Sequence, residues 1–574
     1  MKRINKLQIF IVLLLFAGCQ KDTIENLKNQ VSELTRVNNI SSLENLLLKE
    51  KDADNLITSI QKKNNDEYII TFENQSTLNI IQGIVKSIVL DSAKWSASIV
   101  LTNDSKIQTN ILSKPLDLPT ENIKVNPFFI SPLSAIVNLN TPVNGKIKVR
   151  VIGQDGADSD IIKTFDYYGK NHNVSILGLY PDYNNNVEII FTDKNNKERT
   201  KRTINIKTGA LPSGFPSFEI IKQYDAPQPN QIFLLDYRPA NQPLMVDRFG
   251  KIRWYSTGFS LDNKYALQRL KNGNICYGSS PGSKVVEYSM IGQLIKEYSV
   301  APLYENIHHD VYEMPNGNFL VTVNKIGLKT IEDFILELNR NTGAITNVWD
   351  LNLILPRRYT FVNAFNNDDW FHTNAVYYDK RDNSIVVSGQ KQGVVKISWD
   401  NKLKWIMAPP EGWKGYESFL FKPQGTDFEW NWGQHYPVLM PNGNILLFDN
   451  GYGREYGKGG NYSRAVEYKI DEEKKTIQQV WQYGKERGAE LSSPIISNVD
   501  YLENTKTKLM VAGSLNFNFV YKDSTNISFT LKNTPIKCRI LEIDDDRKLL
   551  YEVALKTNAP AGAVYRAKKM SIYP

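Results

Sequence analysis

VYEMPNGNFLVTV (residues 311–323) and PVLMPNGNILLFD (437–449) are two copies of one pattern: an apolar strand, a Pro-Asn-Gly-Asn turn and a second apolar strand. Asn-Gly between apolar runs is the pairing that tight hairpin turns with positive φ select. AVYYDKRDNSIVVSG (375–389) lies between them and repeats the pattern with a longer turn. Working outward, ALQRLKNGNICYG (266–278), FLLDYRPANQPLMVD (233–247) and VDYLENTKTKLMVAG (499–513) extend the series to six. Each copy continues into a third strand of alternating aromatic and apolar residues. A fourth follows and often ends in Trp, as at Trp254, Trp349, Trp405 and Trp481; the second copy runs to KEYSV (296–300) and the last to YEVAL (551–555). Six four-strand units in series predict a six-bladed β-propeller over residues 211–574, a fold that protects its sheet edges by radial closure. A β-helix would need shorter, more uniform repeats.

Upstream, AIVNL (135–139), KIKVRVIG (146–153), NVEIIFTD (186–193) and RTINIKT (202–208) are short strands separated by Gly and Asn turns. They predict a small β-sandwich over 126–210, ended by the Pro- and Gly-rich linker Leu211 to Pro216. Residues 19–125 read as a coil-plus-hairpin module. Ile24, Leu27, Val31 and Leu34 are spaced as two heptads of a coiled-coil seam, which permits a homo-oligomer, and YIITFENQSTLNII (68–81) and SIVLTNDSKIQTNI (98–111) alternate strands with polar turns. The whole chain is therefore expected to be mainly β.

At the N-terminus, Lys2 and Arg3 precede an apolar run from Ile9 to Phe16 and the small residues Ala17 and Gly18, directly before Cys19. This is a secretory signal over 1–18 with a lipobox-like end, and the run is far shorter than the roughly 20 residues of a membrane helix. Cys19 is the expected lipid attachment point, with the membrane as partner and the cell envelope as location. Gln20 after it resembles the pattern that sorts to the outer membrane. Cys276 and Cys538 are the other cysteines, too few for a disulfide scaffold, so stability must come from cores. The net charge of +8 is modest for 574 residues and is not gathered into a stripe, which argues against a nucleic-acid partner.

Of five histidines, His308, His309, His372 and His435 fall in three consecutive repeats. His309 and His435 each stand six residues before the proline of their turns, Pro315 and Pro441; His372 precedes AVYYD at the matching place, and the same offset in the second repeat reaches Tyr265. First strands of propeller blades line the channel, so one register on neighbouring blades converges at one mouth. Three readings follow: structural histidines, a His₃ zinc site, or a catalytic cluster. No His-x-His or His-x-x-x-His spacing and no obvious carboxylate ligand accompany them, so no metal and no other cofactor is expected.

NIHHDVYEMPNGNFLVTV (306–323), DDWFHTNAVYYDKRDNSIVVSG (368–389), QGVVKI (392–397), WGQHYPVLMPNGNILLFDNG (432–451) and SRAVEYKID (463–471) resemble, in order, the signature segments of the bacterial aryl-sulfate sulfotransferase family. SPLSAIVNLNTP (131–142) and ILGLYPDYNNNVEIIF (176–191) resemble the immunoglobulin-like domain ahead of that family's propeller. The resemblance implies transfer of a sulfuryl group from an aryl sulfate donor to a phenolic acceptor through a sulfohistidine, without a nucleotide cofactor. Carried over by motif, it makes His435 the nucleophile, has His309 and His372 bind and polarise the sulfate oxygens, and puts Tyr265, His308, Gln390, Lys391 and Tyr565 with the substrate-binding residues.

The family carries an arginine where this chain has Gln390, which lacks the guanidinium fork suited to a tetrahedral oxyanion. Lys391 next to it is expected to face away, because adjacent strand residues point to opposite faces. This departure leaves open an envelope propeller that binds sulfated phenols or glycans without chemistry. A metal-dependent sulfatase is the third alternative. A phosphate loop is absent: near Gly457 and Lys458, Tyr452 stands where the first glycine belongs and Gly459 where Ser or Thr belongs.

Overall fold

The computed structural model describes residues 36–574 apart from 38–39, 53–54, 65–66, 81–82, 92–94, 112–121, 227, 229, 239–241, 258–262, 281, 358–367, 458, 461, 524–525 and 560–563. The signal segment, Cys19 and the heptads of residues 24–34 lie outside the described residues. Among those described, no helix is long and apolar enough to cross a membrane.

The architecture is mainly β. In the N-terminal module the helix Ile40–Asp52 buries Leu43 and Leu47 in a core shared with Ile70, Phe72, Ile99 and Leu101 of the hairpin strands. The sequence reading passed over this helix. Leu43, Leu46 and Leu47 at helical spacing after Ser41 and Ser42 are the signal for it. Trp95 meets Phe191 edge-on, ring centroids 5.2 Å apart, joining the module to the sandwich.

In the sandwich, AIVNL and KIKVRVIG are one strand, Ser134–Val151. Its first half pairs with Ile123–Val125 and Gly169–Leu177, and its second half with Ile161–Thr164 and Asn184–Thr192. One continuous strand therefore serves both sheets, with alternate residues such as Val137, Ile147 and Val149 buried between them.

Residues 217–574 form six sheets of four or five strands, together with a separate hairpin over Phe517–Asp523 and Asn526–Leu531. The inner strands are Val564–Ser571, Asn263–Arg269, Val311–Glu313, Thr373–Asp379, His435–Leu439 and Asn498–Leu502. From Asn263–Arg269 onward each touches the next, and Asn498–Leu502 touches Val564–Ser571. Arg269 Nη2 then donates to Ile572 O at 2.9 Å and Lys568 Nζ to Gln268 Oε1 at 2.9 Å, which closes the circuit.

FLLDY, the start of the first sequence copy, is the second strand of its sheet. The inner position is taken by the C-terminal strand Val564–Ser571, paired antiparallel to Gln231–Tyr237. At the other end, Ser217–Lys222 joins the last sheet as its outermost strand on Leu549–Lys556. Both ends of the ring are thus held by main-chain hydrogen bonds. Two of the recurring tryptophans tie neighbouring sheets together: Trp254 Nε1 donates to Met290 O at 2.7 Å and Trp349 Nε1 to Ser398 O at 3.1 Å, each reaching the following sheet.

Arg253 joins ring to sandwich. Wholly buried, it donates to Gly178 O, Ser159 O and Asp247 Oδ2 at 2.8, 2.9 and 3.0 Å, with its guanidinium 3.9 Å from the centre of the Tyr180 ring. Removing one member of a buried ion pair strands the other. Arg253→Met is expected to lower unfolding free energy by about 3–5 kcal/mol, measured by chemical denaturation; a loss under about 1 kcal/mol would show that the pair behaves as a surface one.

Candidate active site

His308 and His309 sit in the loop before Val311–Glu313, His372 just before Thr373–Asp379, and His435 opens His435–Leu439. Equal register on consecutive inner strands brings them together. His309 lies 4.9 Å from His372 and 5.1 Å from His308 between ring centroids, and the Nδ1 atoms of His308 and His309 are 3.1 Å apart. His435 is close enough to act electrostatically on His309 and to feel His372. Tyr565, from the C-terminal strand, presents its ring edge-on to His309 at 5.9 Å. Tyr265 occupies its strand opposite Gly278, with its side chain outside the described residues. The fifth histidine, His172, is buried in the sandwich beside Thr141 and Tyr167 and takes no part.

A left-handed backbone is held by His309 at φ 52°, by His372 at 57°, by Tyr436, the residue after His435, at 52°, and by Glu332, in the loop before Phe334–Leu338, at 59°. Non-glycine residues in this region cost on the order of 1–3 kcal/mol each and persist where surrounding structure over-determines them. At His435 the bend coincides with a register shift between His435 and Val438, so the ring leaves the regular pleat at the channel mouth.

The protonation of His435 follows from its neighbours. Asn450 donates from Nδ2 to Ser493 O and Ile496 O, both at 2.8 Å, which turns its Oδ1 toward His435. His435 Nδ1 lies 2.7 Å from that oxygen and 3.2 Å from Gly433 O. Two acceptors require Nδ1 to carry the proton, so Nε2 carries the lone pair. Burial pushes the ring down to about 3 against the pull of Asn450, helped by His372 and Arg566, so it is neutral near pH 7.

His372 is the opposite case. Burial again works against charge, but Glu332 and Asp369 outweigh it and raise the ring to about 10. Its Nδ1 is 2.7 Å from Glu332 Oε2 and 2.8 Å from Asp369 Oδ2. Glu332 is held well below the carboxylate range: burial opposes this, and His372 followed by His309 overcome it. His309, whose Nε2 stands 3.9 Å from Glu332, is driven well below its ordinary value chiefly by burial. One imidazolium therefore faces neutral imidazoles.

Lys391 does not face away. Residues 390–392 form the turn between Ser384–Gly389 and Gly393–Ser398, so strand alternation does not govern them. Lys391 Nζ reaches Asp369 Oδ2 at 3.0 Å and also donates to the Asp369 carbonyl. Gln390 donates its backbone N–H to His372 O at 3.0 Å, while its buried Oε1 has no hydrogen-bond partner among the described residues.

Glu332, Asp369, Asn450, Asn374, Asp310 and Arg566 escaped the sequence reading as site residues. Arg566 donates to Asp310 Oδ1 and, at 2.7 Å, to Asn374 O, with its guanidinium 4.5 Å from the centre of the Tyr436 ring. Asp369, Asn374, Asp310 and Asn450 stand inside the very segments quoted for the histidines, and Arg566 directly follows Tyr565, which is the signal that could have found them. Two trios, His308–His309–Glu332 and Glu332–Asp369–His372, hold ligand-type atoms within 4.8 Å of one another. In the second, however, the His372 nitrogen facing the carboxylates bears a proton and Asp369 already receives Lys391, so the donors are engaged in an internal ion-pair network.

Fold and side-chain chemistry together define a mainly β, propeller-type protein with a histidine-rich axial site. The arylsulfotransferase (ASST) model matches residues 217–566, and the arylsulfotransferase Ig-like domain model matches 122–209. The chain belongs to the arylsulfotransferase family and is a sulfotransferase. It is similar to the arylsulfate sulfotransferase AssT of Escherichia coli O6:H1, 28% identical over 513 residues that cover 68% of this chain and 84% of that one. It is also similar to the AssT of Lelliottia amnigena, 27% identical over 516 residues, 69% of this chain and 85% of that one. A solved Bacteroides caccae protein of unknown function matches 59% of this chain and 98% of its own at 12% identity, with a TM-score of 0.37.

Asn450→Asp would set a carboxylate against His435 Nδ1 and favour the charged ring. The expected result is a rise of His435 by at least about two pKa units, read by NMR titration of the ring; an unchanged titration would remove Asn450 as its orienting partner.

Proposed function

We propose that this protein transfers a sulfuryl group from an aryl sulfate to a phenolic acceptor through a sulfohistidine on His435, without a nucleotide donor. The observation that carries this reading is the neutral His435 ring, its Nδ1–H held by Asn450, with the imidazolium of His372 in the same site. In the first half-reaction the Nε2 lone pair forms a bond to sulfur as the sulfur–oxygen bond to the aryl group breaks, and the electron pair leaves on the phenolate. In the second, the acceptor phenol's oxygen bonds to sulfur, the nitrogen–sulfur pair returns to Nε2, and the acceptor's proton balances the one taken up by the departed phenolate.

His372 supplies positive charge and N–H donation to the sulfuryl oxygens, with His309 beside it. A donor placed in this way is worth about 3 kcal/mol, by analogy with oxyanion holes. Tyr565, whose ring meets His309 edge-on, would contact the aromatic ring of the substrate, the role that the family motif also assigns to Tyr265. Export by the signal over 1–18, acylation at Cys19 and association through the coil would set this chemistry at the cell envelope, where nucleotide donors are lacking.

Gln390 favours a second reading, capture of sulfated phenols without turnover, since a neutral amide stands where an arginine would bind the anion. The two separate on product: the enzyme releases the donor phenol only as fast as it sulfates the acceptor, in ping-pong kinetics. His435→Ala should lower turnover by at least about 10³-fold with the thermal unfolding midpoint kept, and ³⁵S label from the donor should appear on His435 in the wild-type protein. Full activity in that variant, or label on another residue, overturns the assignment.

The donor half-reaction should also report both rings. His435 is neutral above about pH 3 and His372 charged below about pH 10, so the rate contributed by these groups is level between those limits and falls above about pH 10. Because the folded His372 is raised, the stability from its ion pairs is fully present below the ordinary histidine value of about 6.5 and is lost as pH rises through about 10. A rate that drops between pH 7 and 8 would contradict a persistent imidazolium.

A further inference from the structure

Around His372 the charged side chains are set close together. Asp369 is buried, and the Lys391 side chain is 2% exposed. Glu332 and Asp369 both reach His372 Nδ1, and Lys391 reaches Asp369 through its carboxylate and its main-chain carbonyl. Two carboxylates, one imidazolium and one ammonium cancel. Without Lys391 the same group would be net negative even with His372 charged, and a monoanionic sulfate ester would be repelled from the cation meant to receive it.

We propose that Lys391 is a positioning residue for the anionic donor: by neutralising Asp369 it keeps the His372 side of the site receptive to a sulfate group in a chain that has glutamine at 390. Lys391 need not touch the substrate to do this. Its ammonium is anchored at 3.0 Å to the carboxylate that also orients the His372 ring, so it sets both the position of that ring and the charge behind it. The turn at 390–392 makes this reach available. The inference rests on the reading above that the sulfate ester binds against His372.

Binding of an aryl sulfonate, which resembles the donor but has no sulfur–oxygen–aryl bond to break, isolates the effect from turnover. One uncompensated charge near a partly buried anion weakens binding about 10- to 100-fold at an effective dielectric constant near 20. Calorimetry on the full chain should therefore show Lys391→Met weakening the sulfonate by at least about tenfold, with affinity for the uncharged phenol unchanged. Lys391→Arg should bind within about threefold of wild type, since it restores the charge. Asp369→Asn combined with Lys391→Met, which removes the two charges together, should recover most of the lost affinity. Wild-type sulfonate affinity in Lys391→Met, equal loss of phenol and sulfonate binding, or no recovery in the double variant each overturn the proposal. Sulfonate binding that follows the expected pattern in a wild-type protein that transfers no sulfuryl group would instead remove the transfer reading and leave this inference standing. A wild-type protein that binds no sulfonate removes both.

Discussion

Pairing of the C-terminal strand Val564–Ser571 with Gln231–Tyr237 is the constraint on which the site depends. It supplies the inner strand of the first sheet and brings Tyr565 and Arg566 to the mouth where the histidines of three other sheets converge. Arg566 then links Asp310 of the third sheet to Asn374 of the fourth, both buried, while Asp310 Oδ2 accepts from Val376 N at 2.9 Å. A buried guanidinium on a carboxylate and a carbonyl is strong only when its partners are fixed, and the ring fixes them. Closure is therefore as much a condition of site geometry as of stability.

The electrostatics follow from this rigidity. Burial alone would leave every histidine at the mouth neutral, and it does so for His309 and His435. Only His372 has two carboxylates within hydrogen-bonding distance of one nitrogen, and only there does charge survive desolvation. Two ring types of the same chemistry are thus split into a neutral and a charged form by their partners, the arrangement that separates nucleophile from electrostatic stabiliser in group transfer. The left-handed residues His309, Glu332 and His372 carry local strain at the same points, offset by the network that holds them.

Much of this was legible in the chain. The repeats, the expected mainly β architecture and the convergence of His309, His372 and His435 could be read because hairpin turns and strand register leave fixed intervals in sequence. Glu332 left no such interval: it reaches His372 from a neighbouring sheet, across a distance in sequence that no periodicity sets. Strand alternation puts Lys391 on the wrong face because residues 390–392 form a turn, where consecutive side chains are not bound to opposite sides. Local pattern makes FLLDY the first strand of its sheet because it cannot show that a strand more than 300 residues later takes the inner position.

By itself the sequence determined which residue types would stand at the start of successive inner strands, since that depends only on local turn chemistry and a period-two pleat. Tertiary structure alone decided which nitrogen of His435 bears the proton, that His372 is charged, and that Lys391 stands behind it. Those properties depend on distances of about 3 Å between side chains within a sheet, as for His435–Asn450 and Lys391–Asp369, and between sheets, as for His372–Glu332, and on the burial of these groups. Neither quantity can be read from a local sequence pattern.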